Sequence, residues 1–168
     1  MKKLYLIRHA KSSWDNLDLK DIDRPLNKRG EKDAPRMAKR LKEKDIHPDV
    51  MISSPAKRAR ETCHVIAKVL DFPEANIKID KQLYHANEDQ LLRVVKGIKD
   101  LKDSEEVVLI FGHNPGLMDF ANSLLSEDIE NIPTCGVVGS TLEIKSWKDA
   151  SFGCGEMTLF DFPKNKED

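Results

Sequence analysis

Leu4-Tyr5-Leu6-Ile7-Arg8-His9-Ala10 is the stretch on which the reading of this chain turns. Four apolar residues make a short buried strand, and the strand delivers an Arg-His pair directly into a loop. In open α/β sheets ligands gather at the carboxyl ends of strands, so residues that follow the first strand at once line a site rather than the core. Val107-Val108-Leu109-Ile110-Phe111 repeats the arrangement, and Gly112-His113-Asn114-Pro115-Gly116 follows it as a strand-to-helix turn. Two histidines at two strand ends predict one shared site.

Outward from these strands, the rest of the chain alternates between strand and helix. A polar loop, 11–23, precedes a helix whose apolar positions Ala34, Met37, Ala38 and Leu41 recur at helical spacing. Pro35 must sit in its first turn or kink it. Asp49-Val50-Met51-Ile52 reads as a second strand, and Ser53-Ser54-Pro55 as cap hydroxyls followed by a proline at the first helical position. The helix so opened buries Ala59, Cys63, Ile66, Ala67 and Leu70. Residues 77–79 suit a third strand, and Asn87 caps a helix that turns Leu91, Leu92, Val95 and Ile98 inward. The helix after Pro115 carries Leu117, Ala121, Leu124 and Leu125, and 137–144 and 156–162 alternate as strands. The expected fold class is α/β, with about six strands and four helices. Right-handed crossovers then give a mostly parallel sheet covered on both faces, with an antiparallel edge near the C-terminus.

The 168 residues suit a single domain, expected over 1–163 with a charged tail at 164–168. The absence of a transmembrane-length apolar run, with Met1-Lys2-Lys3 leading straight into a strand, predicts a cytoplasmic protein. A formal net charge of −1 offers no bulk attraction to nucleic acid or membrane. Cys63, Cys135 and Cys154 are odd in number and form no C-x-x-C pair, so they are expected as buried free thiols.

Arg58 falls one turn into the helix expected at Pro55, with Thr62 on the same face. A helix N-terminus with an arginine beside it is an anion site in outline, and Arg8 offers a second fork matched to phosphate oxygens. Taken with His9 and His113, this set suits phosphoryl transfer: a nucleophilic imidazole, a cationic clamp and a second imidazole. No metal or cofactor is called for. His9 must be unprotonated at its reacting nitrogen, so its other ring nitrogen should donate to a backbone carbonyl. His47 and His64 are expected at the surface. A Cys-x5-Arg phosphatase loop is excluded, because Val69, Thr141 and Phe160 stand where its arginine would be. No phosphate-binding G-x-x-x-x-G-K-[ST] loop is present.

Residues 4–12, Asp23-Arg24-Pro25-Leu26-Asn27, Ser53 to Thr62 and Gly112 to Gly116 together resemble, in order and spacing, the histidine phosphatase (phosphoglycerate mutase-like) superfamily. The branch they resemble is that of the SixA-type phosphohistidine phosphatases. The resemblance implies a three-layer α/β/α sandwich without a bound cofactor, His9 as phosphate acceptor, Arg8 and Arg58 as phosphate-binding arginines, and His113 as the second histidine on the phosphoryl group. Arg24, Ser12 and Asn114 become candidate substrate contacts, with loop stabilisation the alternative for Arg24.

The chain departs from larger relatives at Ala10, where many carry glycine, and at Asp15, where the mutases carry asparagine. The third departure bears on substrate. Where mutases present a glutamate as general acid, this chain reads Leu83-Tyr84-His85-Ala86, leaving His85, or Glu88 a turn later, as the candidate acid. An alkoxide leaving group needs a proton, whereas the imidazole of phosphohistidine is readily protonated near neutral pH. A weak acid position and a short 99–106 connection therefore favour a protein-borne phosphohistidine, such as that of a histidine-phosphotransfer or histidine kinase domain. The alternatives are a small-molecule phosphomonoesterase or mutase of the same superfamily, and a non-catalytic phosphate-binding module. Oligomeric state is left open.

Overall fold

The computed structural model describes residues 1–101 and 105–165. Six strands and four helices follow in the order β1 (Lys2–Arg8), α1 (Lys28–Glu43), β2 (Val50–Ser53), α2 (Lys57–Val69), β3 (Lys78–Ile79), α3 (Glu88–Lys96), β4 (Glu106–Gly112), α4 (Gly116–Leu125), β5 (Val137–Leu142) and β6 (Gly155–Asp161). The sheet order is β3-β2-β4-β1-β5-β6. β3, β2, β4 and β1 pair in parallel, while β5 pairs antiparallel with both β1 and β6, so the mixed edge falls at the C-terminal end as expected.

Side-chain alternation explains the three layers. Leu4 and Leu6 of β1 join Val108 and Ile110 of β4 in a core under α3 and α4. Tyr5, Ile7, Leu109 and Phe111 point the other way, into a core with Ala34, Met37 and Leu41 of α1 and Cys63 and Ile66 of α2. A strand buried on both faces must be apolar throughout, which is why β1 and β4 read as unbroken runs.

Several expectations need correction. Pro35 lies in the interior of α1, not its first turn, because Asn27 caps the helix by accepting from the Gly30 amide. α2 begins at Lys57 with Ala56 at its N-cap and no side-chain cap, so Ser53 and Ser54 are not capping hydroxyls. Ser53 Oγ donates to the Ser54 carbonyl, and Ser54 is used by the site described below. In α3, Val94 is buried and Leu92 only half-buried; the Asn87–Gln90 capping box is present. β3 has two residues, and β5 stops at Leu142. Cys63 and Cys135 are buried, but Cys154 is half-buried. His47 is exposed and His64 half-buried. Of the predicted tail, 166–168 lie outside the described residues, as do 102–104 of the 99–106 connection.

Candidate active site

The register of the two central strands brings the histidines together. β1 and β4 run parallel with Arg8 opposite Gly112, so the next residues, His9 and His113, leave the sheet side by side. Their ring centroids are 5.1 Å apart. The His9 amide donates to the Gly112 carbonyl at 3.1 Å and fixes the exit of the chain.

His9 is held as a nucleophile. Its Nδ1 lies 2.7 Å from the Ala10 carbonyl, an acceptor only, so Nδ1 carries the hydrogen and Nε2 keeps its lone pair. Burial, reinforced by Arg58, Arg8 and Arg24, outweighs that hydrogen bond and lowers the His9 pKa to about 4. The imidazole is therefore neutral at physiological pH. Ala10 is not at a positive φ, so its methyl costs nothing where relatives carry glycine. The Ala10 amide donates to Thr62 Oγ1 at 3.0 Å, and Thr62 donates to the Arg58 carbonyl at 2.8 Å, tying the β1 exit to the first turns of α2.

His113 stands beside Ser54, whose Oγ is 2.8 Å from its Nε2 and accepts the Ala56 amide at 3.2 Å. This hydrogen bond sets the orientation of the His113 ring beside His9. Burial first, then His9 and Arg58, lower the His113 pKa to about 3. An incoming phosphoryl group adds the opposite charge and favours the imidazolium.

The arginines are fixed from behind. Arg8 Nη1 donates to the Ile132 carbonyl at 2.9 Å, and its buried Nε has no protein partner. Arg58 Nη1 donates to the Asp21 carbonyl at 2.7 Å and Nη2 to Asp21 Oδ2 at 3.0 Å. Each Nη keeps a second hydrogen for an anion. Arg24 donates Nε to the Ser13 carbonyl, Nη1 to Asp21 Oδ1 and Nη2 to Ser12 Oγ at 2.6 Å, and lies 3.2 Å over the Trp14 ring. These contacts make it a brace of the 12–24 loop that also adds positive charge near His9. Ser12 accepts from Arg24, and Asn114 spends its amide hydrogens on Asn131 Oδ1 and the Ile132 carbonyl. Through these bonds Ser12 holds Arg24 and Asn114 holds the 131–132 segment beside the site.

Three residues were missed by sequence reasoning. Asp21 gathers Arg58, Arg24 and the Tyr84 hydroxyl, which donates to Oδ2 at 2.6 Å. That hydrogen bond, followed by those from the two arginines, overcomes partial burial and holds the carboxyl well below the usual carboxylate range. The Asp21-x-x-Arg24 spacing was its available signal. Tyr84 stands edge-on to His113 at 5.6 Å, and Ser54 follows the carboxyl end of β2, where the strand-end rule already pointed. His85 is exposed at φ +57°, its ring centroid 4.0 Å from that of Tyr84 and tilted 41° to it. Glu88 hydrogen bonds with Ser123. Gly116 is required where α4 starts, because a Cβ would lie 1.8 Å from the Ala86 carbonyl of the segment carrying Tyr84 and His85. Among the described residues no group of His, Cys, Asp or Glu could hold a metal ion. No helix among them is long and apolar enough to cross a membrane.

Sequence and fold are similar to those of known proteins. The family described as Histidine phosphatase superfamily (branch 1) matches residues 4–87. An uncharacterized chloroplastic protein of Arabidopsis thaliana is 34% identical over 154 residues, covering 89% of this chain and 70% of that protein. Phosphoglycerate mutase 1 of Saccharomyces cerevisiae is 37% identical over 73 residues, which are 42% of this chain and 30% of the mutase. In fold, the protein histidine phosphatase SixA solved with tungstate is similar at a TM-score of 0.78 and 19% identity, over 96% of this chain and 97% of that one. With the matched segment carrying Arg8, His9 and Arg58, and the strand register adding His113, the chain belongs to the histidine phosphatase superfamily, branch 1, and is a histidine-dependent phosphatase.

Proposed function

We propose that the enzyme hydrolyses phosphohistidine borne on a protein. In the first step His9 Nε2 attacks phosphorus and the P–N bond breaks, its electron pair passing to the departing imidazole, which is protonated at its other nitrogen. In the second, water attacks phospho-His9, releasing inorganic phosphate and returning the imidazole. Arg8, Arg58 and His113 bind the phosphoryl oxygens, whose charge is spread through both transition states.

One observation carries this reading: Asp21 and Glu88, the carboxylates on the segments around the pocket, are engaged with other partners. Glu88 is bonded to Ser123, Asp21 is held ionised by Tyr84 and two arginines, and the position after Leu83 offers Tyr84 and His85. A leaving group that needs no strong acid suits such a site. The fold shared with SixA supports the same substrate class, and a histidine-phosphotransfer or histidine kinase domain is the kind of protein that presents it.

The test is a substrate panel of phosphohistidine protein, free phosphohistidine, an aryl phosphate and sugar phosphates, run with and without a chelator. The expected order of kcat/KM falls from phosphohistidine through aryl to alkyl phosphate, insensitive to the chelator. Rapid sugar-phosphate turnover would instead assign a small-molecule phosphomonoesterase or mutase. Binding of phosphate without turnover would leave a phosphate-binding module.

A further inference from the structure

Beside the catalytic pocket lies a groove of about 600 Å³ between the 126–136 loop and the edge strand β6. Its floor is apolar, with Ile129 on one side and Met157, Phe160 and Phe162 on the other. In a regular strand Met157 and Phe160 would point to opposite faces. The register, however, passes from Gly139–Leu159 to Ser140–Met157, so Thr158 is an extra, bulged residue. The bulge turns Met157 and Phe160 to the same side, against the α3/α4 core. Bulges re-aim side chains at sheet edges, and here one assembles the apolar floor.

The rim is acidic. Glu127, Asp128 and Glu130 are exposed, and among the described residues no Lys or Arg makes an ion pair with them. The same loop builds the active site: Ile132 receives Arg8, Asn131 receives Asn114, and the Cys135 amide donates to the His9 carbonyl at 3.0 Å. A cationic phosphoryl pocket thus adjoins an acidic groove along one continuous loop.

We infer that this groove docks a segment of the phosphoprotein substrate carrying lysine or arginine beside apolar residues, with the phosphorylated side chain reaching the neighbouring pocket. The inference rests on the protein-substrate reading above. Opposite charge selects a basic occupant and disfavours a second copy, since a two-fold contact would set the three carboxylates against their own copies.

Three substrates test it on the intact enzyme: a His-phosphorylated peptide flanked by Lys and Leu, one flanked by Glu and Leu, and free phosphohistidine. The parent should favour the Lys/Leu peptide over the Glu/Leu peptide in kcat/KM by about tenfold, with the preference shrinking as ionic strength rises. A Glu127→Gln, Asp128→Asn, Glu130→Gln triple variant should lose that preference and hydrolyse free phosphohistidine at the parent's rate. Phe160→Ser should weaken both peptides relative to the free amino acid. Equal use of the two peptides, or equal loss on all three substrates, would overturn the docking site. So would a concentration-dependent dimer in sedimentation that Phe160→Ser abolishes, which would give the groove to a second copy. Failure of the parent to hydrolyse any of the three substrates would defeat the protein-phosphohistidine reading itself, a result distinguishable from turnover that is indifferent to the flanks.

Discussion

The two ends of the central strands both bury charge, in opposite ways. At the amino ends, Lys2 is 1% exposed and its ammonium lies 2.6 Å from Glu106 Oε1 and 3.3 Å from Asp100. Burial works against that ammonium, yet the two carboxylates prevail and its pKa is raised. At the carboxyl ends, Arg8, Arg24 and Arg58 surround two neutral histidines, and one carboxylate, Asp21, pairs with Arg24 and Arg58 while Arg8 has only a backbone carbonyl. A buried charge fully answered by partners of the other sign holds a structure together, whereas an excess of one sign, braced by backbone carbonyls, is held ready for a ligand of the other sign.

That contrast can be broken first at His9. His9→Ala should abolish turnover with the fold retained, and an acid-labile, base-stable phosphoenzyme trapped on the parent should be missing from the variant; label on the variant would mean another nucleophile. At the opposite pole Lys2→Met should cost about 3–5 kcal/mol in urea unfolding, because Glu106 is left buried without its cation. Activity per folded molecule should be unchanged, and adding Glu106→Leu should recover much of the loss.

Arg58→Ala should lower kcat by about 10², the usual effect of deleting one preorganised transition-state donor. Arg58→Lys should recover little, since lysine lacks the fork that Asp21 orients. Near-parent activity in the lysine variant would show that charge alone suffices.

The pH dependence sharpens the comparison further. Because the His9 pKa is lowered to about 4, kcat/KM, corrected for substrate titration, should stay level on the acid side and fall only as pH drops through about 4. Stability follows the same sign. His9 binds a proton in the unfolded chain near its ordinary 6.5 but in the native protein only near 4, so its contribution is complete above 6.5 and is lost as pH falls toward 4. An activity limb near 6.5 that His9 controls would contradict a buried neutral nucleophile. The smallest effect is expected at exposed His85. His85→Asn, which tolerates the positive φ, should leave phosphohistidine hydrolysis near the parent's level and reduce alkyl phosphate hydrolysis. Equal losses across the substrates would remove His85 as an acid.

Strand-end placement and apolar runs determined much of this protein from sequence alone. β1 and β4 had to be central because only a strand covered on both faces is apolar throughout, and His9 and His113 had to leave at their carboxyl ends. Local hydroxyl chemistry misled at Ser53-Ser54-Pro55, since a serine after a strand and before a proline serves equally as a cap or as a site residue. What Ser54 touches depends on His113, 59 residues away. Tertiary structure alone likewise decided that Asp21, Arg58 and Tyr84 meet, that Ser12 bonds with Arg24 and Asn114 with the 131–132 segment, and that a bulge at Thr158 turns Met157 and Phe160 to one side. Periodicity reports which way a side chain faces within its own element, but hydrogen bonds between loops and shifts of strand register depend on partners that only the folded chain brings near.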